Sequence, residues 1–131
     1  MGTWDTGPFD NDAAADWGGE FSEASEQARL EMLEEALHAA ADETDYLEAD
    51  IACEAIAAAA VVAARLPGGP EVEPELWLEV ALPSDLPDLA LRALERVVDE
   101  DSAWRDHWDE EDLLDDAVAV LEPIRSALAS A

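Results

Sequence analysis

Few side chains in this sequence belong to types that do chemistry, and only one pair has a suggestive spacing. Glu35 and His38 form an E-x-x-H step, which on a helix places a carboxylate and an imidazole on one face. Di-metal carboxylate bundles need two such steps and two further glutamates. Glu31 and Glu54 are available as the extra carboxylates, but the second histidine, His107, has Trp104 three residues before it, so the second step is missing. A carboxylate-metal enzyme using Glu31, Glu35, His38 and Glu54 is therefore the alternative reading, with Glu35 and His38 its core. Glu54 falls between Leu47, Ile51 and Ala58 on a helical wheel, inside an apolar stripe. A carboxylate there needs an arginine, a tryptophan N–H or a proton, and otherwise it is a candidate general base. Cys53, the only cysteine, adjoins Glu54, where a thiolate is disfavoured. Asp10, Asn11, Asp12 and Asp16 hint at calcium, but the glycine and terminal glutamate of an EF-hand loop are absent. No nucleophile elbow or phosphate-cradling glycine loop is present. These residues predict neither enzyme nor cofactor.

The other constellation suits binding. Ten of the eighteen residues from Asp99 to Asp116 are acidic, opposed only by Arg105. Trp104 and Trp108 stand one helical turn apart among them. Aromatic anchors within a charged rim make an interface, so Trp104, Trp108, Asp106, Asp109, Glu110, Glu111 and Asp112 are the candidate partner-binding residues. The plainer reading is that both rings point inward and the carboxylates solvate their outer face.

The whole chain is acidic: 34 Asp and Glu against 6 Arg and no Lys, a formal net charge of −28 over 131 residues. Such a surface repels nucleic acids and anionic membranes and attracts basic proteins. The expected function is thus a non-enzymatic acidic binding protein that masks a basic partner, as an immunity or inhibitor protein or a nucleic-acid mimic would. A lone cysteine excludes an internal disulfide and fits a reducing compartment. With no basic and apolar leader pattern at the N-terminus, the sequence predicts a cytoplasmic location.

These residues must be positioned by helices. From Ala55 to Ala64 no polar residue appears on any face, the mark of a helix buried all round. The sequence predicts a small all-α single-domain bundle over 1–131, organised around a central helix at 46–65 capped by Thr44 or Asp45. Further helices are expected at 22–41 (capped by Ser22), 86–100 and 112–128. Residues 1–21 read as an aromatic N-terminal arm with a short helix at Ala13–Trp17, capped by Asp10 or Asn11 and stopped by Gly18. Leu66-Pro67-Gly68-Gly69-Pro70 is the clearest break. A short helix from Pro74 is expected to hold Leu76, Trp77 and Val80, although Leu76, Leu78, Val80 and Leu82 alternate as a strand does. Asp88–Arg92 and Arg96–Glu100 are expected outer i,i+4 pairs. Pro123 should kink or end the last helix near Glu122.

The opening Met1-Gly2-Thr3-Trp4-Asp5-Thr6-Gly7-Pro8-Phe9-Asp10-Asn11-Asp12, with Tyr46-Leu47-Glu48-Ala49-Asp50 and Leu94-Glu95-Arg96-Val97-Val98, resembles bacterial proteins grouped as domain of unknown function 4259. Those proteins are small, acidic and single-domain. The resemblance implies no activity, substrate or site residue.

Overall fold

The computed structural model describes residues 11–131, and these form six helices and no strand. They are α1 (Asp12–Glu23), α2 (Glu26–Ala41), α3 (Ala49–Ala64), α4 (Leu86–Val98), α5 (Ala103–Glu110) and α6 (Leu114–Ala129), with a 3₁₀ turn at Pro74–Leu76. The expected all-α, single-bodied architecture is what forms. The part of the predicted N-terminal arm at residues 1–10, with its aromatics Trp4 and Phe9, lies outside the described residues.

Alanine composition explains the arrangement. In α3, eleven of sixteen residues are buried, and all five other helices pack on it. Small side chains let five neighbours approach one helix, while Ile56, Val61 and Val62 supply the apolar volume. The larger aliphatics come from outside: Leu33 and Leu37 of α2, Leu86 and Leu94 of α4, and Ile124 of α6 are all nearly inaccessible to solvent.

Several boundaries differ from those expected, each for a local reason. The helix expected at 22–41 is two elements. Ala24 is extended, and Ser25, not Ser22, caps α2 by accepting from the Ala28 amide at 3.3 Å. Asn11 caps α1, accepting from Ala14 at 2.9 Å, but Gly18 does not stop that helix. Ala14, Trp17, Gly18 and Phe21 form one buried stripe at helical spacing, so tertiary burial outweighs the local cost of two glycines. The central helix starts at Ala49, later than expected, with no side-chain cap. Residues 42–48 form a non-helical connector instead, in which Leu47 pairs with the chain at Ser102, donating to Asp101 O at 2.8 Å and accepting from Ala103 at 2.9 Å.

At the end of α3 two glycines are required. Gly68 has φ +83, and a Cβ on Gly69 would stand 1.8 Å from the Ala63 carbonyl oxygen. The helix expected at Pro74 shrinks to its 3₁₀ turn. Beyond it the alternation prevails without a strand partner, since Leu76 and Leu78 are buried and Trp77 is exposed. Pro123 does not end α6, which runs on to Ala129. Both Pro123 and Ala119, whose carbonyl loses its helical donor, lie on the solvent side.

Candidate functional site

The acidic segment spans the end of α4, all of α5 and the start of α6. Ser102 caps α5, accepting from the Arg105 amide at 3.4 Å. The far end of α5 closes as a Schellman motif. Leu113 N–H donates to Trp108 O at 2.9 Å and Asp112 N–H to Asp109 O at 3.1 Å, with Asp112 left-handed at φ 58. Asp101 is also left-handed, at φ 60. Aspartate tolerates this conformation better than most residues, though less well than glycine.

Within this frame the two tryptophans turn inward. Trp104 is 5% and Trp108 3% exposed, and both belong to the main core. The expectation that one of them anchors a partner from the surface is therefore corrected. An eight-residue helix of which half the residues are charged needs large apolar rings to hold it on the bundle. The carboxylates behave as expected: all ten acidic residues from Asp99 to Asp116 are exposed. Among the described residues no ion pair involves any of them. Asp106 accepts from the Tyr46 hydroxyl at 2.8 Å, which raises the Tyr46 pKa first through that bond.

With 34 carboxylates against 6 arginines most carboxylates must lack a cation, and four of the arginines are also engaged with backbone carbonyls. Arg96 donates to the carbonyls of Glu43 (3.0 Å), Asp45, Glu100 and Asp101 (both 3.3 Å), clasping the α2–α3 and α4–α5 connectors together. The expected Arg96–Glu100 pair is thus a contact to the Glu100 backbone. Arg65 donates to the Leu78 and Val80 carbonyls at 2.6 and 2.7 Å and lies over the Trp77 ring at 5.4 Å. Arg29 donates to the Ser22 and Trp77 carbonyls at 2.8 and 2.9 Å and lies over Phe21. Arg105 donates to Val98 O. A guanidinium can span several carbonyls in a fixed plane, which an ammonium cannot, and this fits a chain whose cations are all arginine. Arg92 pairs with Asp88 and Arg125 with Glu122, both at 3.7 Å on the surface, and Arg29 also lies 3.4 Å from Glu26. Nothing in the sequence pattern signalled these long-range clasps, because the acceptors are main-chain groups and carry no residue signature.

The residues of the metal alternative do not converge. Glu31, Glu35 and His38 are exposed, and His38 Nδ1 lies 3.0 Å from Asp42 Oδ2. Among the described residues no three His, Cys, Asp or Glu side chains are grouped to hold one ion. Glu35 and Glu54 do meet along a groove between α1, α2 and α3, but their companions are Asp16, Glu20 and Asp50. Glu54 is half-buried rather than enclosed, and partial burial, then Asp50 and Glu20, raises its pKa. No arginine or tryptophan bond to Glu54 is seen among the described residues. The i,i+4 pairs Asp16–Glu20 and Asp50–Glu54 were the missed signal for this groove. Burial pushes the Cys53 thiol up to about 12, which suits a core residue and not a nucleophile.

Uncompensated surface charge has a measurable consequence. Melting temperature is expected to rise by several degrees between about 10 mM and 500 mM NaCl, as screening shortens the range of self-repulsion. A flat melting temperature in a calorimetric salt series would show that the carboxylates are locally balanced.

Among the described residues this is a small acidic helical domain, six helices around an alanine-rich central one, with four of its arginines turned to backbone carbonyls. The family model of domain of unknown function DUF4259 matches residues 2–119, and the chain belongs to that family. No curated protein and no solved structure matches it.

Proposed function

We propose that this protein is a non-enzymatic binder that masks a basic surface on a protein partner, in the manner of an immunity protein, an inhibitor or a nucleic-acid mimic. The observation that carries this reading is the corner from Asp99 to Asp116, where ten carboxylates are exposed and no ion pair among the described residues involves them. Two of them, Asp101 and Asp112, occupy left-handed positions that glycine fits more easily. Charge retained there at a conformational cost supports a use for it beyond solubility. With both tryptophans in the core, recognition at this corner is electrostatic, which favours fast association over tight anchoring.

The test starts from proteins captured from the native host at low salt and released at high salt. Neutralising Asp109, Glu110, Glu111 and Asp112 together, as Asn and Gln, is expected to slow association with the captured protein by about tenfold or more and to flatten its salt dependence. Kinetics equal to those of the native protein would leave this corner with a purely solvating role.

A further inference from the structure

An apolar concavity among the described residues has no residue of the acidic segment in its lining. It is a groove of about 550 Å³ between α1, the buried face of α3, the 70–76 segment and the second half of α6. Ala60, Leu76, Val72, Val120 and Ile124 contribute its apolar wall, and Gly19 of α1 opens one side. A Cβ on Gly19 would meet nothing within 4 Å, so packing inside the fold does not require glycine there. Along one lip stand Glu71, Glu73 and Glu75, all exposed and at alternate positions of the chain. Small-molecule sites add a few convergent polar groups that fix one orientation. This groove instead offers a row of carboxylates beside an apolar slot, which matches a run of cations flanking an apolar side chain.

We infer, on the reading that the protein binds a basic partner, that this groove seats an apolar side chain of a basic partner segment while Glu71, Glu73 and Glu75 hold the flanking cations. The complement of the lip is positive, and a chain carrying a net charge of −28 is a poor second occupant for it. The groove gives the partner an apolar contact that the acidic corner, with its rings turned inward, does not provide.

The probe is a labelled amphipathic peptide with leucines on one helical face and arginines on the other, compared with an equally charged peptide carrying serines for the leucines. The leucine peptide is expected to bind at least about tenfold more tightly, the gain from burying such side chains. Its titration is expected to shift the amide resonances of Gly19, Leu76 and Ile124. Gly19→Leu fills the groove from a position with open space in front of it. It is expected to abolish that tenfold preference while leaving the serine peptide's binding and the circular dichroism spectrum unchanged. Equal binding of both peptides, unaffected by Gly19→Leu, would overturn the groove as the seat and leave the charge-driven reading intact. Failure of both peptides to bind at low salt would remove both readings. Overhauser contacts in the free protein from Gly19 or Ile124 to the ring of Trp4 or Phe9 would also overturn it, assigning the groove to the chain's own first residues. So would self-association, measured by sedimentation, that Gly19→Leu abolishes.

Discussion

A Val62→Asp variant is expected to show no cooperative melting transition at neutral pH. Val62 is fully inaccessible, on the stretch of α3 where every face is covered. An aspartate there has no partner to reach. Arg65, one turn further along the chain, is already committed to the carbonyls of Leu78 and Val80. An unpaired buried charge costs several kcal/mol, roughly 4 or more once the lost valine packing is added. Small domains have only about 5–15 kcal/mol in total, and self-repulsion of the carboxylates already lowers the margin here. Circular dichroism melting of the variant beside a Val62→Ala control separates charge from lost volume: alanine should leave a cooperative transition at lower temperature. A Val62→Asp protein melting within a degree or two of the native one would mean that this face of α3 is not enclosed.

The placement of α3 was legible in the sequence because burial on all faces leaves its own pattern, an apolar run with no polar interruption from Ala55 to Ala64. The family was legible from the opening residues taken together with Tyr46–Asp50 and Leu94–Val98, and its model matches residues 2–119. What was not legible followed from interactions between distant segments. The start of α3 is set by Leu47 pairing with residues 101–103 and by Arg96 gripping the connector, and neither contact is encoded in local propensity. Continuation of α1 through Gly18 and Gly19 comes from burial of Trp17 and Phe21, whose rings stack at 4.9 Å. Glu54 looked enclosed because its wheel position lies within the apolar stripe. A wheel cannot show that α1 and α2 leave a groove above it.

The direction of the tryptophans was the open question at the acidic corner, and it yields the second large effect. Trp108→Ala is expected to lower stability by about 3–5 kcal/mol, the usual loss when a large buried ring is removed and its cavity only partly collapses. The ring is 3% exposed, and α5 packs against α3, α4 and α6 with only eight residues of its own. Asp106, Asp109 and Glu110 face solvent and add no apolar contact. In urea unfolding the midpoint should fall while the slope is unchanged, because the surface exposed on unfolding is nearly the same. The loss should persist at high salt, since it is a packing term, whereas destabilisation caused by charge should diminish there. An interface anchor would behave in the opposite way. Its truncation would leave the urea midpoint in place and weaken partner binding by about 2 kcal/mol or more. An unchanged midpoint would therefore return Trp108 to the surface, and the acidic corner would regain an aromatic contact of its own.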